Sequence, residues 1–441
     1  MTLGRRRSSW VMVTGVAVAS LALTACSAGS LGSSSGGSGT TITFLVDNSD
    51  TGVAQGKALA DGFHKQNSDI TVKVETRPGG ADGDNLIKTR LSTQSMDDVF
   101  SYNSGSLFQQ IDPKANLLPL TDESFIKDVD DSFKPQVSVG DEVYGIPQGT
   151  PFGGGVLYNL DVYKQLGLSV PKTWDEFIAN SEKIKAAGIA PIIQTYQDTW
   201  TSQLFVLGDF HNVSAVDPSF ADDYTANKAK YATNPAALKG FEHTEAVHDA
   251  GYENKDFASA KLPDGLKMLA TGKGAHYPNL SGVVANMVAT YPDAAKTVGL
   301  FALPGDDASK NGLTLWTPGG LYIPKTTTGD KLDAAKKFLA FVASPDGCAS
   351  QTTAGAPTGP YAVKGCTLGN DVPQAIKDMQ PYLDKPGSSS LALEFLSPVK
   401  GPSLEQITVE VGSGIRKAKD GAARYDEDVK KQAQQLGLAG W

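Results

Sequence analysis

The sequence predicts an α/β fold divided into about two domains, and three observations carry that expectation. Residues 41–102 alternate strand-like and helix-like patterns, as parallel βαβ units do. A Gly- and Pro-rich stretch at 143–159 (VYGIPQGTPFGGGVLYN) reads as a crossing segment rather than a core element. Length is the third: a chain of 441 residues ordinarily divides into more than one hydrophobic core.

The first residues read as an export signal rather than as fold. Arg5, Arg6 and Arg7 make a positive start, and 10–23 is an uncharged apolar run too short for a comfortable membrane span. Leu23, Thr24, Ala25 and Cys26 (LTAC) resemble the bacterial lipobox. Residues 1–26 are therefore expected to be a lipoprotein signal peptide with Cys26 as the lipidation site, and the arginines leave Sec and Tat export both open. Residues 27–40 (SAGSLGSSSGGSGT) form a flexible Gly/Ser tether whose reach is about 5–6 Å times the square root of its length. The tether contains a formal G-x-S-x-G, but a nucleophile elbow needs a strand before it and a helix after it.

Folded sequence follows. Ile42, Phe44 and Val46 alternate and predict a strand ending at Asp47. A helix over 54–66, an alternating strand over 70–75 (ITVKVE), a helix over 84–94 and a short strand over 98–102 complete the pattern. Ligands of parallel sheets sit beyond the carboxyl ends of the strands. Those ends carry Asp47, Asn48 and Ser49, and then Tyr102, Asn103 and Ser104, short polar groups that suit hydroxyl recognition. Thr173 and Glu176 make a capping box for a helix running to Ala187, so Trp174 falls in a first turn and is expected to pack the helix start. Further helices are expected near 200–210, 235–250, 263–271, 333–343, 371–384, 402–418 and 422–436. Strands are expected over 298–303 and 313–323, the second interrupted around Trp316, Thr317 and Pro318.

Composition narrows the function. Without residues 1–25 the chain loses three of its 39 basic residues and none of its 48 acidic ones, which leaves a net charge of −12. Such a chain gains nothing from counterion release, so no nucleic-acid partner is expected. No later stretch is apolar enough to span a bilayer, so the lipid is the one membrane contact expected. With Cys26 lipidated, Cys348 and Cys366 remain. An oxidising compartment favours a disulfide between them, worth about 3 kcal/mol by loop entropy, with two free buried thiols as the alternative.

Several pieces, in order along the chain, resemble the family 1 sugar-binding proteins of ABC importers. They are the lipobox; Gly145, Ile146 and Pro147; Tyr158 and Asn159 followed by VYKQLGL; the run PKTWDEF from Pro171; GKGAHY from Gly272; PGGLYIPK from Pro318; and AAKKFLAFVASPDG from Ala334. The resemblance implies a two-lobed periplasmic-binding-protein-like fold (type II) with the ligand cleft between the lobes. It places 41–147 and 319–355 in an N-terminal lobe, and 148–318 and 356–441 in a C-terminal lobe. It also implies a sugar ligand, mono- to oligosaccharide, and an ABC permease as partner; a monomer is expected.

A sugar offers an apolar face and a rim of hydroxyls, so its site needs aromatic platforms and short polar side chains. The candidates are Asp47, Asn48, Asn103 and Ser104 at the strand ends, and Gln148 on the first crossing beside Thr150 and Phe152. Trp200 and Trp316 are candidate platforms, since family positions near both contact sugar, with core packing as the alternative. Gly319 and Gly320 either let backbone approach the ligand or make a tight turn. By resemblance, Tyr277 and Asn279 stand at a pocket position, although GAH at Gly274 departs from the family pattern, and Glu394 with Phe395 lies where relatives place an aromatic. Glu75, Thr76 and Arg77 either reach the cleft or stay on the surface.

Catalytic and metal motifs do not emerge. His243 and His248 are five apart, not at zincin spacing, and read as a solvated helix face. There is no C-x-x-C and no phosphate loop, and Asp82, Asp84 and Asn85 read as a turn. No cofactor and no metal are expected. The competing readings are a secreted lipoprotein glycoside hydrolase, which needs two carboxylates about 5–10 Å apart, and a carbohydrate sensor or adhesin.

Overall fold

The computed structural model describes residues 39–441. The export signal, Cys26 and nearly all of the tether lie outside the described residues.

The first sheet starts from the expected βαβ pattern. Thr40–Asp47 pairs in parallel with Ile70–Arg77 on one side and Val99–Tyr102 on the other. Two later segments extend it: Gly319–Tyr322 runs antiparallel to Val99–Tyr102, and Gly145–Gln148 runs antiparallel to Gly319–Tyr322. Helix Asp50–Gln66 starts where Ser49 Oγ accepts the Gly52 N–H at 3.0 Å, a cap worth about 1 kcal/mol. Its Phe63 meets Phe338 of helix Gly329–Val342, which also meets Phe44 of the sheet, with ring centroids 5.4 and 5.3 Å apart. These residues share one continuous core with Ile42, Val46, Phe100 and Ile146.

The second sheet is centred on Phe152–Asn159, whose neighbours Gly274–Leu280, Val298–Ala302 and Leu313–Trp316 are all antiparallel to it. Ala190–Ile192 and Ser389–Leu391 pair in parallel at the two ends. The capping box forms as expected: Glu176 N–H donates to Thr173 Oγ1, and Thr173 N–H to the Glu176 carboxylate, both at 3.3 Å. The following helix, Trp174–Ala186, tilts Trp174 against Phe177 and stacks it on His243. The core of this lobe falls into three clusters, one built largely by helices Pro235–Asp249, Leu404–Gly412 and Ala418–Gln435.

The expected strand over 313–323 is two strands in two sheets. Leu313–Trp316 belongs to the second and Gly319–Tyr322 to the first, with Thr317 and Pro318 as the crossing between them. Another crossing runs over 149–151, between Gly145–Gln148 and Phe152–Asn159. Cys348 and Cys366 are joined, with an S–S distance of 2.04 Å. Residues 361–364, which the sequence reading groups with the C-terminal lobe, bond to the first lobe instead: Asp130 N–H donates to Ala362 O and Lys364 N–H to Asp128 O. The stretch expected as helix over 200–210 is broken into a 3-10 turn, Thr199–Gln203, and Leu204–Leu207. Likewise 371–384 gives only Gln374–Lys377 and Gln380–Asp384. Among the described residues no helix is long and apolar enough to cross a membrane.

Candidate ligand cleft

The carboxyl ends of the first sheet face the second lobe, and their polar side chains divide into committed and free ones. The Asp47 carboxylate accepts the Ser49 N–H at 3.0 Å and the Ser49 hydroxyl, so it shapes the turn into the first helix. Asn48 and Asn103 are exposed. Ser104 is buried, donates to Pro318 O at 2.9 Å and lies 2.8 Å from Thr317 Oγ1, which fastens the crossing segment. Arg77 is buried at the same edge. Its Nη1 donates to Pro78 O at 3.0 Å, while Nε and the neighbouring Tyr102 hydroxyl have no partner. The guanidinium lies 5.9 Å from the Tyr102 ring centroid. Burial, reinforced by the Asp84 carboxylate and opposed by Arg77, keeps that phenol protonated well above its usual range.

Across from this edge stands a group assembled from three distant segments. The Trp316 ring stacks on Phe152, with centroids 6.3 Å apart and planes 7° from parallel. Its Nε1 donates to Glu394 Oε1 at 2.5 Å, and Lys400 Nζ bonds the other Glu394 oxygen at 3.0 Å. The two lobes touch here: Ser106 Oγ donates to Glu394 O at 3.0 Å, and a Cβ on Gly105 (φ +68°) would come within 2.7 Å of the Phe395 ring. Between them is a cavity of about 430 Å³, lined by Asn103, Ser104, Ser106, Gln110, Glu394 and Lys400 among others. A second cavity, about 310 Å³, lies beside the crossings between Phe133, Pro151, Thr317 and Tyr361.

The crossings are held by a short hydrogen-bond chain. Gly149 N–H donates to Gln351 Oε1 at 2.6 Å, Ser281 Oγ donates to Thr358 O at 2.6 Å, and Gly153 N–H donates to Ser281 Oγ at 2.9 Å. Gln351 and Thr358 lie inside the loop closed by the disulfide.

Several sequence candidates are placed elsewhere than expected. Tyr277 is fully buried, its hydroxyl 2.6 Å from Thr195 Oγ1, and Asn279 is fully buried with its Oδ1 accepting the Leu280 N–H. Strand Gly274–Leu280 is central and covered on both faces, so neither side chain reaches a cleft surface. Gly319 and Gly320 are strand residues rather than a turn or a ligand-approach point. A Cβ there would press on the Tyr102 carbonyl at 2.9 Å or the Tyr322 ring hydroxyl at 2.3 Å, so close strand packing explains both glycines. Trp200 is half-buried against the Tyr277 cluster. Gln148 is half-buried at the mouth of the first crossing, paired with Gly319. His243 is buried rather than solvated. Of the candidates, the structure brings Asn103, Ser104 and Glu394 to one cavity, with Trp316 bonded to Glu394. Sequence reasoning passed over Ser106, Gln110 and Lys400, which carry no periodic signal. Tyr102 it placed at a strand end, where a polar tip at the ligand edge is the available clue.

The model of the bacterial extracellular solute-binding protein family matches residues 48–347. The chain belongs to that family. Among relatives, the multiple sugar-binding protein of Streptococcus mutans is 27% identical over 318 residues, 70% of this chain and 72% of that protein. The melibiose/raffinose/stachyose-binding protein MelE of Bacillus subtilis is 24% identical over 351 residues, 75% and 76% of the two chains. The apo form of RafE from Streptococcus pneumoniae superimposes with a TM-score of 0.74 at 21% identity, covering 90% of this chain and 98% of that one. In this solute-binding protein, therefore, the two sheets are the cores of two lobes, and the cleft between them is the candidate ligand site.

Proposed function

We propose that this solute-binding protein captures a short oligosaccharide between its lobes and delivers it to the permease of an ABC importer, working as a monomer tethered through Cys26. The observation that carries the reading is the interlobe cavity, where amide, hydroxyl and carboxylate groups from both lobes converge beside Phe395 and the Trp316–Phe152 stack. Its volume of about 430 Å³ is in the range of small-molecule sites. Among the described residues the one cation lining it, Lys400, is already paired with Glu394, which favours a neutral ligand over a strongly anionic one. The names of the relatives, a multiple sugar-binding protein and a melibiose/raffinose/stachyose-binding protein, support the sugar class. The lobe boundaries we assign run through residues 149–151 and 317–318, with a third crossing within the 355–372 stretch.

Closure follows from differential affinity: a ligand contacting both lobes favours the closed arrangement, which the permease then reads. The test is a thermal-shift screen of the soluble chain from residue 40 against neutral mono- to tetrasaccharides. A ligand at 100 times its dissociation constant stabilises by about 2.7 kcal/mol. A hit whose shift survives both Glu394→Ala and Asn103→Ala unchanged would place the site elsewhere, and the absence of any sugar hit would overturn the ligand class.

A further inference from the structure

We propose that the interlobe cavity selects sugars carrying an N-acetyl group, an inference that rests on the reading of that cavity as the sugar site.

The lining offers more than partners for hydroxyls. Each lobe contributes an amide side chain and an aliphatic one: Asn103 and Leu107 from the first, Gln432 and Leu436 from the second. Asn103 is exposed and Gln432 half-buried, so a ligand can reach both residues. Gln110 adds a third amide; its Oε1 accepts from Lys88 Nζ at 3.0 Å, which leaves Nε2 as a donor. Gln432 and Leu436 sit at the end of helix Ala418–Gln435, where the Leu436 N–H donates to Gln432 O at 3.0 Å. Residues four apart on a helix share a face, so this amide and this aliphatic group are neighbours. Leu436 is 39% exposed, open enough for a ligand to cover it. Half-buried Phe395 and Leu107 continue the apolar wall.

An unsubstituted sugar asks for a flat ring under its C–H face and polar groups around its hydroxyls. Aliphatic side chains set beside amides are left over from that requirement. An acetamido group uses both, because it carries an N–H donor, a carbonyl acceptor and a methyl. One carboxamide side chain meets the donor and the acceptor together, while the methyl needs apolar atoms within about 4–4.5 Å.

The charges in the lining favour the acetylated form over its ionised relatives. Glu394 and Lys400 are bonded to each other at 3.0 Å, and the other Glu394 oxygen accepts the Trp316 indole N–H. A free amino sugar would therefore meet a carboxylate that is already bonded twice, and an acidic sugar a lysine that is already paired.

The test is calorimetric titration of the soluble chain from residue 40 with matched sugars. N,N′-diacetylchitobiose is compared with cellobiose, and N-acetyllactosamine with lactose, pairs that differ only by acetamido in place of hydroxyl. The glucosamine dimer, charged at about pH 6, is the ionised control. Covering one methyl and gaining one amide hydrogen bond contribute roughly three- to tenfold each, so in at least one pair the acetylated sugar should bind at least tenfold more tightly. The glucosamine dimer should bind more weakly than its acetylated form. Gln432→Ala and Leu436→Ala, at the end of the last helix, should each narrow the preference at least threefold with an unchanged melting temperature. A preference below tenfold in both pairs, tighter binding of the glucosamine dimer, or a preference that both variants keep in full would overturn the proposal. Silence from all five probes beside a different neutral hit in the thermal screen would overturn it too and leave the sugar reading standing. No hit from any sugar removes both.

Discussion

The two lobes are built on opposite plans. The first wraps one continuous core around a sheet whose opening strands are parallel and locally connected, and its unmet polar groups, Arg77 Nε and the Tyr102 hydroxyl, lie at the edge facing the cleft. The second threads distant segments antiparallel to Phe152–Asn159, splits its core into three clusters and buries His243, His276 and Asp209 deep inside. The first lobe's histidine, His64, is exposed. The difference teaches where each lobe stores its polarity: the first at the edge turned to the cleft, the second in its interior, where protonation and stability are linked.

That contrast is most easily broken with acid. Burial holds His243 and His276 at about 3, far below the imidazole range of the unfolded chain. Their contribution is complete above about pH 6.5 and is lost as the pH falls toward 3, because the unfolded state takes up protons the folded state refuses. The expected loss is several kcal/mol, concentrated in the second lobe. Scanning calorimetry at pH 7 and pH 4 should show its transition moving to lower temperature more than that of the first lobe; parallel shifts would erase the distinction. Asp209 acts with the opposite sign. Its raised value means stability present below about pH 4 is lost as pH rises toward about 8, so Asp209→Asn should be more stable than the parent at pH 8 and equal to it at pH 4.

Next in size is Trp316→Ala, which removes a buried indole from Phe152 and leaves Glu394 with one partner fewer. Chemical denaturation should show a loss of about 3–5 kcal/mol. Replacing Cys348 and Cys366 by serine should cost about 3 kcal/mol, read the same way. It should also weaken ligand binding, because Gln351 and Thr358, which hold the crossings, sit in the loop that the bridge closes. The smallest effect expected is that of Ser281→Ala, about 1 kcal/mol for the hydroxyl that joins Gly153 N–H to Thr358 O.

The same contrast explains what could be read in the sequence. The first lobe's opening was legible because strand, helix and strand follow one another locally, and alternation at Ile42, Phe44 and Val46 marks a face. The Thr173 capping box was legible for the same reason. The break at Thr317 and Pro318 was visible as an interruption, but that its two halves belong to different sheets depends on partners far away in the chain. Tyr277 and Asn279 were placed by resemblance alone, and a matched position in a motif does not record that the strand carrying them is covered on both faces. His243 misled because Trp174, which buries it, lies about seventy residues earlier. Ser106 and Lys400 join the cavity only through the approach of the two lobes, which no local pattern records.

The proposed function requires two lobes that draw together over a carbohydrate. Small-angle scattering of the soluble chain, alone and saturated with the best sugar from the thermal screen, addresses this most directly. It should give a smaller radius of gyration with the sugar, and the change should vanish in Glu394→Ala. Stabilisation by the sugar with an unaltered scattering curve would contradict it.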